Sequence, residues 1–418
     1  MKKKSKVVII GAGFGGLNAA KALGKCDVKV TIIDQYNYHL FQPLLYQVAT
    51  AGLSPADISV PIRQVLSDQK NCTVHMATVN DINIDANTVI TDSQDIDYDY
   101  LIVATGAKHS YFGHDDWQDY APGLKNLDDA TEIRRKILSS FEQAEMTHDI
   151  EKRRQLMTFC IIGGGPTGVE MAGAIAELAK KSLAKDFKNI NPSESKIILL
   201  EGGDRVLNSF PEKLSIKANK QLLKLGVEVK TNSMVVNCNE QGVVIKNEPV
   251  ILCNNIIWAA GVKASSANQW LDVKGDKFGR VHVNGDLSLP NNENIYVIGD
   301  TALSVDKNGK TVPGVAPAAK QMGKYVAKAI ISKILNKKPQ KDFKYKNYGN
   351  LATIGRKSAV ADFGKFTLSG FSAWFMWSFA HVMFLIGFRN RLSVMLNWAW
   401  HYFSFNRGAR LITGKKPK

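Results

Sequence analysis

Two glycine-rich loops constrain the fold of this 418-residue chain more than any other feature of its sequence. Val7–Gly16 reads VVIIGAGFGG, and Phe159–Gly168 reads FCIIGGGPTG. Each is an apolar strand followed by G-x-G-x-x-G and a helical run, the fingerprint of a dinucleotide-binding βαβ unit. The first glycine makes the turn, the second admits a pyrophosphate, and the third lets the helix pack on the strand. These glycines are Gly11, Gly13 and Gly16 in the first loop and Gly163, Gly165 and Gly168 in the second.

An acidic residue closes the second strand of each βαβ unit. VKVTIID ends in Asp34, and KIILLE ends in Glu201. A carboxylate at this position accepts hydrogen bonds from a ribose diol and repels a 2′-phosphate. We therefore expect unphosphorylated adenosine ribose at both sites, and NADH rather than NADPH at the second. The alternative is that both are ordinary acids at the end of a strand, and Glu201 lies further from its glycines than is usual.

The two halves of the chain repeat one plan, because each glycine loop and its acid are followed by an alternating segment. We expect an antiparallel meander over residues 73–98 and another over 227–250. A buried strand then ends in a small-residue turn, at Thr105–Gly106 in the first half and at Gly261 in the second. This internal duplication predicts an α/β fold with two tandem Rossmann-like dinucleotide-binding domains, one inserted in the other.

The predicted domain boundaries follow from the position at which the second dinucleotide-binding domain is inserted in the first. We expect a first domain over residues 1–115 and 269–365, with the second domain over 116–268 between them. NIYVIGD, a further buried strand, ends in Asp300, whose carboxylate is a candidate ligand of a ribitol hydroxyl or of the diphosphate side of a bound dinucleotide. The last segment, residues 366–418, is expected to form C-terminal helices that anchor the protein on a membrane.

Cysteine usage excludes several kinds of redox or metal centre. The five cysteines are scattered, with no C-x-x-C pair, which argues against a disulfide framework, a metal-binding ribbon and a catalytic dithiol. Cys160 lies inside the strand before the second loop and is predicted to be a core residue. No metal site is predicted. The basic start, MKKKSK, resembles the first part of a signal peptide, but cleavage would destroy the first glycine loop, so we expect a cytosol-facing protein.

The C-terminal segment carries the most unusual composition. Phe366–Phe388 has no charged residue, and a shorter apolar run follows Arg391. From Phe366 onward the chain has no acidic residue and seven basic ones: Arg389, Arg391, Arg407, Arg410, Lys415, Lys416 and Lys418. This composition suits an anionic membrane surface better than nucleic acid, for which no module is present. Two amphipathic helices in the membrane interface are favoured, and a transmembrane span or a buried dimer helix are the alternatives.

These features predict a flavoenzyme. FAD in the first half and NADH in the second would allow a hydride to pass from the nicotinamide C4 atom to the flavin N5 atom. The aromatic stretch before Pro55, which contains Gln47, is expected beside the isoalloxazine, although an amphipathic surface helix is the alternative. Because no dithiol, cluster or haem motif is present, a lipophilic acceptor such as a membrane quinone is favoured.

The chain resembles the type II NADH:quinone oxidoreductases, which are single-subunit NADH dehydrogenases that pump no protons. The motifs that carry the resemblance are GAGFGG (11–16), HLFQPLLYQVATAGLSP (39–55), ATG (104–106), GGGPTGVE (163–170), WAAGV (258–262), YVIGD (296–300), APAAKQMG (316–323) and FLIGFRNRL (384–392). The resemblance implies noncovalent FAD, NADH as the donor and ubiquinone or menaquinone as the acceptor. It also implies a homodimer bound monotopically to the cytoplasmic face of the cell membrane.

The resemblance also implies three site residues. The quinone motif of the family, A-Q-x-x-x-Q, corresponds to Ala316–Gln321, where Pro317 replaces the first glutamine and Gln321 matches the second. Gln321, with Lys320 beside it, is thus expected at the quinone, unless it is simply a glutamine on a helix surface. Glu170 matches an acid proposed in the family to sit between nicotinamide and flavin and to relay protons, although a carboxylate in a first helical turn is also favoured by the helix dipole.

Three other functions are alternatives to a type II NADH:quinone oxidoreductase. A sulfide:quinone oxidoreductase shares the fold and the membrane tail but needs two redox cysteines near the flavin, and here only Cys160 lies near a cofactor motif. A soluble ferredoxin-type reductase has no need of a charge-free tail. A membrane-tethered, NADH-binding signalling flavoprotein would be distinguished from a quinone reductase by its slow turnover with quinone.

Overall fold

The structure is a computed structural model that describes residues 4–306, 309–404 and 407–414. The helices, in chain order, are α1 (Phe14–Leu23), α2 (Leu45–Ala49), α3 (Pro55–Ile58), α4 (Ile62–Val65), α5 (Leu127–Met146), α6 (Ile150–Leu156), α7 (Pro166–Glu177), α8 (Glu212–Lys224), α9 (Ala267–Trp270), α10 (Ala316–Ile334), α11 (Phe371–Phe384) and α12 (Phe388–Ser404). A π-helical turn, Leu178–Ser182, continues α7.

The strands, in chain order, are β1 (Ser5–Ile10), β2 (Val28–Asp34), β3 (Tyr38–Leu40), β4 (Ser59–Pro61), β5 (Cys72–Met76), β6 (Val79–Asn83), β7 (Thr88–Thr91), β8 (Asp95–Asp97), β9 (Tyr100–Val103), β10 (Ala107–His109), β11 (Thr158–Ile162), β12 (Lys196–Leu200), β13 (Val227–Lys230), β14 (Val235–Asn239), β15 (Gly242–Ile245), β16 (Ile251–Leu252), β17 (Asn255–Trp258), β18 (Val262–Ala264), β19 (Val281–His282), β20 (Ser288–Leu289), β21 (Asn292–Val297), β22 (Ala302–Leu303), β23 (Asn350–Gly355), β24 (Ser358–Asp362) and β25 (Thr367–Gly370).

The chain divides into two compact units. The first comprises the chain up to Leu40 with Val60–Lys108 and Val262–Tyr348. The second comprises Phe41–Ser59, His109–Gly261 and the chain from Gly349. The first unit is therefore built from segments on both sides of the longest segment of the second.

A six-stranded sheet forms the centre of the first unit, in the order β20-β21-β9-β1-β2-β5. All neighbours pair in parallel except β20, which runs antiparallel to β21 at the edge. Strand β1 is buried from Val7 to Ile10, as expected for the inner strand of a covered parallel sheet. Helices α1 and α10 pack together closely, because Gly323 faces Gly15 and a Cβ on Gly323 would collide with the Gly15 carbonyl oxygen.

A four-stranded parallel sheet forms the centre of the second unit, in the order β13-β12-β11-β17. Every residue of β11 is buried. Helix α7 packs against β12 on one side and against β23 on another. Gly173 makes the second contact possible, because a Cβ there would lie 2.5 Å from the Ile354 carbonyl oxygen.

The predicted meanders were wrong at their first strands. Strand β5 pairs in parallel with β2, and β13 pairs in parallel with β12, so both belong to the Rossmann sheets. The rest of each segment forms a three-stranded antiparallel sheet, β6-β7-β8 in the first unit and β14-β15-β16 in the second. The alternation of apolar and polar residues cannot separate these cases, because an edge strand of a parallel sheet alternates in the same way.

The chain from Asn350 to Gly370 forms a three-stranded antiparallel sheet, β23-β24-β25, which is followed by α11 and α12. The first residues of the charge-free run, Thr367–Gly370, are thus a strand and not a helix. The structure contains no helix, among the residues it describes, that is long and apolar enough to cross a membrane.

Four of the seven basic residues from Phe366 onward lie in the described part of the chain, and the membrane contact predicted for them stays a prediction. Arg407 and Arg410 bond inside the second unit, and Arg391 donates to the Leu385 and Met383 carbonyl oxygens. Arg389 is exposed. The other three, Lys415, Lys416 and Lys418, lie outside the described residues.

Candidate functional site

The first glycine loop has the geometry of a phosphate cradle. Gly11 has φ +98°, and a Cβ there would collide with the Ala104 carbonyl oxygen. A Cβ on Gly16 would collide with the Gly11 carbonyl oxygen, whereas Gly13 has no atom within 4 Å of its Cβ position. Gly13 is also the N-cap of α1 and offers no side chain to the first amides of the helix. The open space beside these amides fits a bound pyrophosphate.

Asp34 braces this loop from the end of β2. Its Oδ2 atom accepts a hydrogen bond of 2.6 Å from the Ala12 amide, and its Oδ1 atom accepts one of 2.8 Å from the Tyr36 amide. Burial raises the pKa of the carboxyl, and the two amide donors oppose the shift. The carboxyl is held at the carboxyl edge of the sheet, where α/β folds bind their ligands.

The other predicted residues of the first site lie along the same edge. Strands β1, β9 and β21 are parallel neighbours, so the loop after β1, Thr105 and Gly106 after β9, and Asp300 after β21 share one edge. The Thr301 hydroxyl donates to the Gly106 carbonyl oxygen at 3.1 Å and lies 3.2 Å from the Thr105 hydroxyl. The first unit therefore brings the predicted residues of its site together.

His39 is a residue of the first unit that the sequence analysis did not single out. The side chain is only 2% exposed, and its Nδ1 atom lies 2.8 Å from the Ala12 carbonyl oxygen, so Nδ1 carries the proton. Burial lowers the pKa of His39 to about 4, which keeps the ring neutral at pH 7. The buried Nε2 atom has no hydrogen-bond partner within the described residues and is an acceptor. It fits a ligand that has hydroxyl donors.

The second glycine loop repeats the construction of the first. Gly163 has φ +111°, and a Cβ there would lie 2.6 Å from the Ala259 carbonyl oxygen. Gly165 is the N-cap of α7 without a side-chain cap, and space is open at its Cβ position. Glu201 accepts hydrogen bonds from the Gly164 amide at 2.6 Å and the Gly203 amide at 2.7 Å. Glu201 thus holds its loop in the way that Asp34 holds the first one.

The remaining glycines of the second site meet the same steric requirements. A Cβ on Gly168 would collide with the Gly163 carbonyl oxygen, so only glycine lets α7 approach the loop. A Cβ on Gly261 would lie 2.7 Å from the Phe112 ring, and the Gly261 carbonyl oxygen accepts from the Ser110 amide. The sequence-predicted residues of the second loop therefore also lie together within one unit.

Glu170 faces a cavity of about 110 Å³ that lies within the second unit. Its lining joins two carboxyl groups, two guanidinium groups and several aromatic rings, including those of Tyr46, Glu170, Glu177, Trp377, Arg356 and Arg407. The Glu170 Oε1 atom receives one weak hydrogen bond, from the Thr353 amide at 3.4 Å. Burial raises the pKa of Glu170 to about 8, against the opposing effect of that amide. A carboxyl with these properties holds a proton at neutral pH.

Gln47 lines the same cavity. Its amide nitrogen donates to the Tyr46 hydroxyl at 2.9 Å, and its amide oxygen accepts from the Trp398 indole at 2.8 Å. These bonds join α2 to α12 and fix the orientation of the amide. A flavin contact of Gln47 stays a prediction.

Gln321 and Lys320 belong to the first unit. The Gln321 amide makes two hydrogen bonds with the main chain of Lys346, each of 2.9 Å. Lys320 places its ammonium 5.1 Å over the Phe14 ring, and burial, with Lys324 and Lys21 nearby, lowers its pKa to about 8. The quinone role of both residues stays a prediction.

Comparison with known proteins matches two regions of the chain. Residues 5–323 match the pyridine nucleotide-disulphide oxidoreductase family, and residues 348–407 match the NDH2 C-terminal domain. The type II NADH:quinone oxidoreductase Ndh of Mycobacterium tuberculosis is 42% identical over 430 residues, which cover 99% of this chain and 91% of that protein. The chain belongs to the type II NADH:quinone oxidoreductase family. NdhA of the same organism is 43% identical over 431 residues, covering 99% of this chain and 90% of that protein.

Solved structures of other proteins share the fold of this type II NADH:quinone oxidoreductase family member. NDH2 from Plasmodium falciparum, solved with NADH, has a TM-score of 0.88 at 23% identity and covers 99% of this chain and 100% of its own. The sulfide:quinone oxidoreductase of Aquifex aeolicus reaches a TM-score of 0.74 at 20% identity, covering 96% of this chain and 95% of its own. At these identities the likeness shows the fold alone, and the sulfide:quinone alternative is the weaker fit. All five cysteines are free thiols, and Cys160 is buried as predicted.

Three residues at the cavity of this type II NADH:quinone oxidoreductase family member escaped the sequence analysis. Glu177 lies seven positions after Glu170, which places both on one face of α7, and this spacing was readable from the sequence. Arg407 comes from the C-terminal segment and Arg356 from the turn between β23 and β24, and both meet Glu177 only in the folded chain. Arg407 had been counted only as part of the positive charge of the tail.

Proposed function

We propose that this chain is a flavoenzyme that transfers a hydride from NADH to bound FAD and two electrons onward to a membrane quinone, without pumping protons. The observation that carries the proposal is that each unit has its own complete glycine loop, braced by its own acid. The family membership supports the same donor and acceptor, since the relatives are named for that reaction.

The residues of the first unit fit FAD. The free amides at the start of α1 would bind the pyrophosphate, and Asp34 would bind the adenosine ribose. Thr105, Gly106 and Asp300 would hold the ribitol side. The buried Nε2 atom of His39, whose Nδ1 atom bonds to Ala12 of the glycine loop, is an acceptor for a hydroxyl of the cofactor. Bound FAD supplies the redox chemistry, because its isoalloxazine ring takes up a hydride and gives up electrons.

The residues of the second unit fit NADH. The amides at the start of α7 would bind the pyrophosphate, and Gly261 closes the loop against Ser110. Glu201 would accept hydrogen bonds from the 2′- and 3′-hydroxyls of the adenosine ribose. Because its carboxylate repels a 2′-phosphate, we expect NADH to be preferred over NADPH.

The proton chemistry is assigned to Glu170. With its pKa near 8, the carboxyl is protonated at pH 7 and can donate to a quinone oxygen as reduction proceeds. Lys320, whose ammonium has a lowered pKa, is the candidate quinone donor of the first unit. Gln321 would act by positioning the chain around Lys346, and Gln47 would lie beside the isoalloxazine. The quinone is ubiquinone or menaquinone.

The C-terminal helices would bind the membrane. Helix α11 exposes Phe371, Phe375 and Phe379 to more than half of their surface, and α12 exposes Trp400 to 64%. A contiguous exposed apolar surface of this kind marks a lipid or protein contact. We propose monotopic attachment through residues 366–418 at the cytoplasmic face of the cell membrane, as a homodimer. The functional domains would be 1–115 with 269–365 for FAD and 116–268 for NADH.

The proposal is tested on detergent-purified protein. The absorbance spectrum is recorded first, and then the oxidation of NADH with and without a short-chain quinone, with NADPH in parallel. We expect a yellow protein that oxidises NADH rapidly only when quinone is present, with NADPH lagging. A Glu201→Gln variant should narrow the difference between NADH and NADPH, and the exposed Glu142→Gln variant is the matched control.

Two results would contradict the proposal. A yellow protein that NADH bleaches but quinone does not re-oxidise would exclude the quinone assignment and favour a protein acceptor or a signalling role. A colourless protein that FAD does not restore would exclude the flavin itself.

A further inference from the structure

The proposed reaction requires a proton from solution, and this inference rests on that function. NADH releases a hydride, which amounts to two electrons and one proton. A quinone becomes a quinol by taking up two electrons and two protons. Each turnover therefore consumes one proton that neither substrate provides, and the protein must conduct it from water to the reacting quinone oxygen.

The cavity beside Glu170 offers a route for this proton within the second unit. Glu170 and Glu177 are seven residues apart on α7, so they lie two turns apart on one helix face. Both side chains line the cavity, whose volume of about 110 Å³ is enough for several water molecules. The separation of about 10 Å between the two residues along the helix axis is too long for a direct hydrogen bond, and water in the cavity would bridge it.

The contacts of Glu177 differ from those of Glu170. The Glu177 Oε1 atom accepts a hydrogen bond of 2.6 Å from the Arg356 amide, and its Oε2 atom lies 3.7 Å from an Arg407 guanidinium nitrogen. Its side chain keeps 20% of its surface exposed. Burial raises the pKa of Glu177, while Arg407 and Arg356 oppose the shift. Glu177 is thus a partly exposed carboxyl with two arginine partners, whereas Glu170 receives a single weak hydrogen bond.

Arg407 fixes this arrangement from the C-terminal segment. Its guanidinium donates to the Thr50 carbonyl oxygen at 2.6 Å and to the Ala174 carbonyl oxygen at 3.1 Å, which holds it against α7. The side chain is 11% exposed. The other titratable or charged groups that line the cavity are the Tyr46 hydroxyl, the Arg356 guanidinium and the His401 ring. His401 lies with its Nε2 atom 2.8 Å from the Gly52 carbonyl oxygen, to which it donates.

We propose that Glu177 is the entry carboxyl of a proton relay to Glu170, and that Arg407 holds it in position. In the first step an oxygen of the Glu177 carboxylate takes a proton from water. In the second, the Glu177 O–H bond breaks and the proton passes along cavity water to the Glu170 carboxylate, which has just given its own proton to the quinone. No electron moves in either step, and water is the only other reactant.

The test compares Glu177→Gln with Glu177→Asp in the FAD-loaded protein. The glutamine variant keeps the size of the side chain and a hydrogen-bond acceptor but cannot carry the proton. We expect its quinone turnover to fall about tenfold or more between pH 6 and 8, with a larger solvent deuterium isotope effect than in wild type. The aspartate variant should recover part of the rate. Bleaching of the protein by NADH without quinone should be unchanged, because that half-reaction takes up no proton from solution.

Several controls separate a relay from a structural role. Glu142→Gln, an exposed glutamate on α5, should behave as wild type. The infrared carboxyl band of Glu170, followed over pH, should persist in Glu177→Gln, since the relay needs Glu170 intact.

If the glutamine variant matches wild type in rate and pH profile while Glu170→Gln is slow, the proton reaches Glu170 by another path and the relay is excluded. If the glutamine variant loses FAD or slows bleaching by NADH, Glu177 is structural and the relay is again excluded. Failure of wild type to reduce quinone would instead overturn the proposed function.

Discussion

At the scale of the residue, Glu170 places a carboxyl where ionisation is unfavourable. Burial raises its pKa to about 8 from the ordinary glutamate value of 4.5, so the native state prefers the protonated form. The stability contributed by this preference is fully present below pH 4.5 and is lost as the pH rises through 8. Glu170→Gln removes the ionisation. We therefore expect the melting temperature of the variant minus that of wild type to increase by about 3 °C or more from pH 5 to pH 9.

Thermal melts of both proteins at pH 5, 7 and 9 check this prediction, with Glu142→Gln as the exposed control. Quinone turnover of Glu170→Gln should fall by about 100-fold while FAD stays bound. A constant melting difference across this pH range would show that Glu170 is not protonated in the native state. Unchanged turnover would remove Glu170 from the mechanism.

At the scale of the element, α11 has an unusual distribution of apolar residues. Ala373 and Trp377 face the protein, while Phe375 and Phe379 are 61% and 58% exposed. Burying a phenylalanine contributes about 1.5–3 kcal/mol, so each exposed ring that enters a lipid interface should strengthen binding by about tenfold or more. We expect Phe375→Ser with Phe379→Ser to reduce binding to anionic phospholipid vesicles by at least about 100-fold.

Vesicle co-sedimentation measures this binding. The matched control is Ile150→Ser, which removes an apolar side chain that is 63% exposed on α6. Equal binding by the double variant and the control would show that α11 covers another protein surface and not lipid. The melting temperature of the double variant should match wild type, because neither ring packs in the core.

At the scale of the whole molecule, the duplicated loops predict that each dinucleotide protects a different unit. In deflavinated protein, FAD at 100 times its Kd should slow amide exchange around Gly11–Gly16 and Asp34 by up to about 100-fold. NADH should slow exchange around Gly163–Gly168 and Glu201 to a similar extent at the same relative concentration. Hydrogen exchange with mass spectrometry resolves both regions.

Each ligand serves as the control for the other in this experiment. Protection of both loops by FAD alone, with none added by NADH, would contradict the assignment of one dinucleotide to each unit. Protection of the first loop by NADH and not by FAD would show that NADH binds the first unit, which reverses the assignment.

Much of this organisation was predictable from the sequence because it is local. A strand, a G-x-G-x-x-G turn, a helix and a closing acid lie within about 40 residues and obey steric rules that the residue types themselves impose. The predicted strand Val28–Asp34 agrees with the structure at both ends. The C-terminal helices were also predictable from their apolar composition, although their limits were not, since β25 occupies the start of the charge-free run.

The tertiary structure alone decided which distant residues meet. Arg407 and Ala174 are 233 positions apart, and no periodicity in either segment indicates their contact. The first strands of both meanders likewise pair in parallel with β2 and β12, which lie outside the predicted meanders and which a local hairpin pattern does not indicate. The sequence by itself determined the two dinucleotide loops, because short-range sterics impose them, and its motifs carried the resemblance to the family. Only the folded chain determined the cavity at Glu170, because burial and the pKa of a carboxyl depend on every segment that packs around it.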